Sequence, residues 1–154
     1  MTRMFALVPA AGTGSRMGEG TPKQYLPLAG RPMIHHALGA LAAASAIERV
    51  FVVLALGDVY GRAQDWSAVS PKVVVLPCGG ATRAGSVANG LRAGAGVSDE
   101  DWVLVHDAAR PCLSGAVLDG MIAALAQDEV GGLLAVRAAD TLKRGGEDGR
   151  VLET

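Results

Sequence analysis

Five continuous apolar stretches recur along the chain, at residues 4–9, 49–55, 72–77, 102–107 and 132–137. Unbroken apolar stretches, as opposed to strictly alternating ones, are typical of strands that are covered on both faces. Segments with helical spacing separate them, at roughly 32–45, 58–66, 83–95 and 114–128. Strands that alternate with helices predict βαβ units, and hence an α/β fold with a Rossmann-like, mostly parallel sheet flanked by helices.

The order of these elements also predicts where a ligand would bind. In open parallel sheets, ligands bind beyond the carboxyl ends of the strands. Three segments fall there, which we call the first loop (residues 10–23), the second loop (78–86) and the third loop (107–113).

Composition narrows the class of protein. Half of the 154 residues are hydrophobic and 19% are charged, which argues against disorder and fits one domain. The net charge of -1 argues against a general nucleic-acid-binding protein. Cys78 and Cys112 lie far apart and indicate neither a zinc site nor a disulfide scaffold. With no signal-peptide pattern and no long apolar span, a cytoplasmic location is expected, without membrane or nucleic-acid partners.

The first loop lies within the sequence VPAAGTGSRMGEGTPKQY, residues 8–25, and combines three closely spaced glycines with Arg16 and Lys23. Glycines let main-chain N–H groups turn inward and form an anion-binding nest. The two cations add full positive charges, so the expected guest is a phosphate group.

Several interpretations of this loop compete. The Walker pattern needs a glycine directly before a lysine, which is absent, and the dinucleotide fingerprint needs GxGxxG where this chain has GxGxxxG. No acid that could bind a ribose occurs from Gly20 to Ile47. A nucleotidyltransferase loop and a plain glycine-rich connection remain open.

The second loop begins CGGATRAGSV, with Gly79 and Gly80 exposing backbone before a helix that starts near Arg83. A helix N-terminus favours anions. Ser86 is either a nucleotide ligand or an ordinary residue of the first helical turn.

The third loop carries Asp107 where a buried strand ends. A carboxylate there requires a partner, and with phosphate-binding loops nearby Mg²⁺ is the natural one. The alternative is a structural ion pair with Arg110, and both can hold together. We interpret His106 as structural, and His35 and His36 as non-catalytic because their spacing does not suit a metal.

Four segments together carry a resemblance to a known family: PAAGTGSRMGEGTPKQYLPLAGRPMIHHAL, GGATRAGSV, LVHDAARP and ADTLKR. They closely resemble, in order and spacing, 2-C-methyl-D-erythritol 4-phosphate cytidylyltransferases. The resemblance implies a nucleotidyltransferase-type fold and a homodimer that uses a divalent cation. It also implies in-line attack of methylerythritol phosphate on the α-phosphorus of CTP, with release of pyrophosphate. A related pyrophosphorylase with another acceptor or nucleotide, and a non-catalytic nucleotide-binding module, are the alternatives.

The resemblance also implies roles for single residues. Arg16 and Lys23 match the basic residues that stabilise the pentavalent phosphorus, and Asp107 matches the residue at the metal. The residues matching nucleotide contacts are Ala10, Ala11, Gly12, Gly14, Gly80, Ser86 and Ala108. The residues matching substrate contacts are Asp107, Arg110 and Thr141.

The end of the chain is expected to be a separate segment. Residues 139–154 are polar and broken by glycines, which fits either a fraying tail or, by the resemblance, the start of an arm exchanged between subunits after a domain of residues 1–138. Family members are expected to continue past Thr154 with a TPQ segment and a late lysine. The chain is therefore expected to lack part of the substrate site and of the dimer interface.

Overall fold

The structure is a computed structural model that describes residues 2–12 and 20–154. The chain divides into two compact units, Met1–Gly120 and Met121–Thr154. The elements within the described residues are, in order, β1 (Met4–Pro9), a 3-10 turn (Lys23–Tyr25), β2 (Pro27–Leu28), β3 (Arg31–Pro32), α1 (Met33–Ala43), β4 (Ile47–Val53), α2 (Val59–Arg62), β5 (Val73–Leu76), α3 (Arg83–Ala93), β6 (Trp102–Val105), α4 (Gly115–Leu125), β7 (Arg144–Gly145) and β8 (Val151–Glu153).

A four-stranded sheet organises the first unit, and its strand order is β5-β4-β1-β6. All three pairings are parallel, with Leu7 of β1 opposite both Phe51 and Val105. Since β1 lies inside the sheet, its carboxyl end is flanked by the ends of β4 and β6. This confirms the predicted parallel α/β fold.

The central strands β1 and β4 are largely apolar because both faces of the sheet are covered there, while Glu48 and Arg49 at the start of β4 are exposed. On one face, Phe5 and Phe51 stack with ring centroids 5.8 Å apart in a cluster that includes Leu7 and Val53. Alternate residues of β1 and β4 are also fully buried, and α1 packs against β4. This two-sided burial is the reason that the hydrophobic pattern is continuous.

A glycine brings α3 close to the sheet. A Cβ atom at Gly90 would lie 2.5 Å from Val53 Cγ2 and 2.8 Å from Leu7 Cδ1. The helix therefore approaches β1 and β4 more closely than a larger residue would allow. This approach fixes the position of the residues at the start of α3.

The predicted elements differ from the observed ones in two places. The helix predicted over 58–66 is limited to α2, and the strand predicted over 132–137 is wrong because these residues form no strand. A strand needs a neighbour to pair its backbone groups, yet Leu133 and Val136 are 81% and 96% exposed. An apolar sequence alone does not supply that partner.

The second unit contains a short hairpin in which β7 pairs antiparallel with β8. An ion pair between Arg144 and Glu153 links the two strands. The boundary after residue 138 and the exchanged arm stay predictions. Across the described ranges, no helix combines the length and the apolar character that a membrane span requires.

Candidate active site

A cleft of about 710 Å³ lies at the carboxyl edge of the sheet in the first unit. All three predicted loops contribute to it. The described residues that line it are 9–12, 23–24, 80–83, 86 and 107–110. Parallel strands place these segments together, because the loops follow β1, β5 and β6 at the same sheet edge.

Gln24 holds the first loop where it leaves β1. Its side chain is 5% exposed, and Nε2 donates to the carbonyl oxygens of Ala10 and Gly12, each at 3.0 Å. The N–H of Ala10 donates to the carbonyl of Val53 at 2.8 Å, which extends the sheet pairing into the loop. Lys23 precedes Gln24 in the 3-10 turn and also lines the cleft.

The other side of this turn is attached to α2 through Tyr25. The Tyr25 hydroxyl donates to Asp58 Oδ2 at 2.6 Å, and Asp58 Oδ1 accepts from the N–H of Gly61 at 2.9 Å as the N-cap of α2. Burial, together with the hydrogen bond and the charge of Asp58, raises the pKa of Tyr25 well above its ordinary value. The turn that begins with Lys23 is thus attached to the first loop through Gln24 and to Asp58 through Tyr25.

The second loop is closed by its own residues. Ser86 is 3% exposed, and its Oγ accepts from the N–H of Gly80 at 3.0 Å and donates to the carbonyl of Thr82 at 3.0 Å. Thr82 is the N-cap of α3 and accepts from the N–H of Gly85 at 3.0 Å. Ser86 therefore shapes the loop through its hydroxyl, which is more than an ordinary residue of a first turn does.

The first and second loops touch at Gly79. A Cβ atom there would lie 2.3 Å from Ala11 Cβ and 3.0 Å from the carbonyl oxygen of Leu54. The N–H of Gly79 also donates to that carbonyl at 2.9 Å. Only glycine fits between the loops without moving one of them.

Two arginines hold the carboxylate of the third loop. Arg83 Nη2 lies 2.8 Å from Asp107 Oδ1, and Arg110 Nε lies 3.0 Å from Oδ2. Burial acts to raise the pKa of Asp107, but the hydrogen bond of Arg83 and the charges of Arg83, Arg110 and His106 outweigh it, so the pKa is lowered. The carboxylate stays ionised at neutral pH.

The chemistry of the cleft suits a cation held chiefly by a bound ligand. Within the described ranges, no group of three or more His, Cys, Asp or Glu side chains could hold a metal ion. Asp107 is the acidic residue among the described residues of the cleft. One carboxylate supplemented by phosphate oxygens is an arrangement that Mg²⁺ accepts, and it would require Asp107 to exchange an arginine contact.

The structure brings together most of the residues that the sequence singled out. Those that line the cleft are Ala10, Ala11, Gly12, Lys23, Gly80, Ser86, Asp107, Ala108 and Arg110. Gly14 and Arg16 lie outside the described residues. Thr141 lies in the second unit and is exposed.

Two of the three histidines lie within hydrogen-bond distance of a nearby backbone carbonyl. The Nε2 atom of His106 lies 2.9 Å from the carbonyl of Arg110, and that of His36 lies 2.7 Å from the carbonyl of Leu28. His35 stacks at an angle on Trp66, with ring centroids 5.8 Å apart. In the described part of the chain, none of the three belongs to a group of three or more His, Cys, Asp or Glu side chains that could hold a metal ion.

Sequence reasoning missed two contributions to the cleft. It did not single out Gln24, and it paired Asp107 with Arg110 but not with Arg83. A glutamine beside a candidate catalytic lysine carries no distinctive signal. The Arg83 pair could have been anticipated, because the same argument that placed Asp107 at the sheet edge placed the start of α3 there.

Comparison with known proteins identifies the family of this chain. The family model described as IspD, 2-C-methyl-D-erythritol 4-phosphate cytidylyltransferase, matches residues 4–154. A relative with that name from Nitrosospira multiformis is 61% identical over 147 residues, covering 94% of this chain and 63% of the relative. Another from Dechloromonas aromatica is 60% identical, covering 98% of this chain and 67% of the relative. This chain therefore spans about two thirds of their length.

A solved structure gives the same result at the level of the fold. The crystal structure of a 4-diphosphocytidyl-2C-methyl-D-erythritol synthase superimposes with a TM-score of 0.81 at 32% identity, covering 99% of this chain and 68% of that one. With the family model, the close relatives and the cleft in agreement, the chain belongs to the 2-C-methyl-D-erythritol 4-phosphate cytidylyltransferase family.

Proposed function

We propose that the protein transfers a cytidylyl group from CTP to 2-C-methyl-D-erythritol 4-phosphate, giving 4-diphosphocytidyl-2-C-methyl-D-erythritol and pyrophosphate. The observation that carries this proposal is a cleft in which three of the four family segments meet, in a chain that matches the family model from residue 4 to residue 154.

In this proposal the two glycine-rich loops hold the nucleotide. Residues 10–12 and 80–83 both line the cleft, and their main chain would wrap the triphosphate and the nucleoside. Lys23, with Arg16 by family resemblance, would face the phosphorus under attack. By the family resemblance, Arg110 would contact the methylerythritol phosphate, and Thr141, on the exchanged arm, would contact the same substrate in the site of the other subunit.

The reaction requires charge neutralisation and alignment in place of a tuned base. A phosphate monoester is already anionic at neutral pH, so its oxygen attacks the α-phosphorus without losing a proton to the protein. The barrier is the repulsion between two anions, and positioned cations lower it. The bond to the pyrophosphate oxygen breaks as the new P–O bond forms.

We propose that Asp107 would bind Mg²⁺ or another divalent cation together with the triphosphate. Such a cation neutralises phosphate charge and orients the leaving group. The Asp107→Asn variant should need more Mg²⁺ for half-maximal turnover. An unchanged Mg²⁺ titration would contradict the assignment, and Asp65→Asn, whose carboxylate lies outside the cleft and contacts Ser67, serves as the control.

A nucleotide panel tests the function itself. The protein is incubated with methylerythritol phosphate and each of CTP, UTP, ATP and GTP, and pyrophosphate release is measured. Release with CTP alone, dependent on the acceptor, is expected. Release with another nucleotide would indicate a related pyrophosphorylase, and CTP binding without release would indicate a non-catalytic module.

We propose further that the protein works as a homodimer in the cytoplasm, with residues from about 139 onward forming an exchanged arm. Analytical ultracentrifugation of the protein tests this association. A mass of one chain at all concentrations would contradict it.

A further inference from the structure

We propose that Gln24 is a positioning residue, which sets the place of Lys23 against the main chain of the first loop. The inference rests on the proposed function, because it concerns how that site holds its catalytic lysine. It is carried by the contacts of one buried side chain.

The Gln24 side chain is buried and bonds to the first loop. Gln24 is 5% exposed, and its amide makes two hydrogen bonds of 3.0 Å to carbonyls of the first loop. An amide NH₂ has two donors, so both are used on the loop. Because both donors of this buried amide bond to residues 10–12, Gln24 fixes the position of that segment.

Gln24 lies in the same 3-10 turn as Lys23. Lys23, Gln24 and Tyr25 form one 3-10 turn, in which the N–H of Leu26 donates to the Lys23 carbonyl. Gln24 bonds the turn to residues 10–12, and Tyr25 bonds it to Asp58. Lys23, which lines the cleft, is thereby held at a set distance from the loop that would wrap the triphosphate.

The Gln24 amide bonds to the protein and leaves no donor for a bound phosphate. Its donors face carbonyl oxygens of the protein, so in this geometry the amide holds the loop and does not stabilise the reacting phosphorus directly. Its effect on turnover should therefore act through Lys23. That dependence separates positioning from a general contribution to stability.

The test is a double-mutant cycle of Lys23→Met and Gln24→Met. Methionine resembles glutamine in size but cannot donate. In the wild-type background, Gln24→Met should lower kcat about tenfold, because both hydrogen bonds that hold the first loop against the turn of Lys23 are lost. In the Lys23→Met background, the same change should lower kcat by less than about threefold, because the two residues act as a unit.

A matched control uses Gln64, whose Nε2 donates to the carbonyl of Tyr60 at 3.1 Å outside the cleft. Gln64→Met removes the same kind of bond and should leave kcat unchanged. Equal losses from Gln24→Met in both backgrounds, or an equal loss from Gln64→Met, would overturn the inference.

Two further outcomes are distinguishable. If Gln24→Met does not fold by circular dichroism, Gln24→Asn, which keeps the amide but shortens the side chain, replaces it in the cycle. Failure of both variants to fold would make Gln24 a purely structural residue and overturn the proposal. Wild-type protein that neither binds CTP nor releases pyrophosphate would overturn the proposed function, and the inference with it.

Discussion

The first and second loops of the cleft are both rich in glycine, yet they are held in different ways. The second loop is closed by hydrogen bonds between its own residues, because Ser86 bonds to Gly80 and Thr82 bonds to Gly85. The described part of the first loop is held from outside, by Gln24 of the following turn and by the sheet. Hydrogen bonds within the second loop fix its shape. Anchoring by Gln24 instead fixes the distance between the first loop and the charge of Lys23.

This difference predicts separate roles. The second loop should contribute mainly to nucleotide affinity, since its contacts define a surface. The first loop and its turn should contribute mainly to the rate of the chemical step, since they hold Lys23. Each of the following changes tests one side of this contrast.

The largest effect is expected from Lys23→Met. Removing one positioned cation from an electrostatic site should lower kcat by about 10²–10³, with a smaller change in CTP affinity. Steady-state kinetics and calorimetric titration measure the two. Lys72→Met is the control, since Lys72 Nζ donates to the Ala44 carbonyl away from the cleft, and rates near wild type in Lys23→Met would refute the role.

The next largest effect is expected where the two loops touch. Gly79→Ala would place a methyl group against Ala11 and the Leu54 carbonyl, and such overpacking typically costs about 1–3 kcal/mol in the free energy of unfolding. Urea denaturation measures it. Gly57→Ala has no atom within 4 Å of its new Cβ and should leave stability unchanged or slightly raised, so equal losses in both variants would count against the contact.

A smaller effect is expected from Ser86→Ala. The change leaves the N–H of Gly80 without its acceptor, so CTP should bind about tenfold more weakly, the equivalent of one hydrogen bond, while kcat changes little. Ser70→Ala removes a hydroxyl that accepts from the N–H of Lys72 outside the cleft and should leave CTP affinity intact. A fall in kcat without a change in affinity would reverse the proposed division of roles.

The smallest effect is expected in the pH dependence of the free energy of unfolding, and it concerns only the turn that follows the first loop. Burial and Asp58 raise the pKa of Tyr25 in the folded protein above its value of about 10 in the unfolded chain. Unfolding therefore releases a proton in alkaline solution, and the free energy of unfolding falls as the pH rises above about 10. Tyr25→Phe should flatten this fall, measured by urea denaturation between neutral and alkaline pH.

The control for the pH experiment is Tyr60→Phe. Tyr60 stacks on Tyr25 with ring centroids 5.8 Å apart, but the Tyr25–Asp58 hydrogen bond does not involve its hydroxyl. This variant should keep the alkaline fall. An identical pH profile in Tyr25→Phe and wild type would show that the turn is not anchored through Asp58.

The same contrast explains what the sequence could and could not predict. The parallel sheet and the second loop were predictable, because a continuous apolar strand and a helix start are local signals. Gln24 was not, because nothing in a single sequence shows that a glutamine will turn back toward Ala10. The strand expected at residues 132–137 was wrong for the related reason that pairing depends on a neighbour which the pattern does not reveal.

The contact between Gly79 and Ala11 has a consequence for the history of the family. Gly79 and Ala11 are far apart in the sequence, but in the fold they lie so close that no further carbon atom fits between them. A bulkier residue at either position could persist only if the other stayed minimal or the backbone shifted. Across homologues, a larger residue at one of these two positions should therefore be accompanied by a smaller residue at the other.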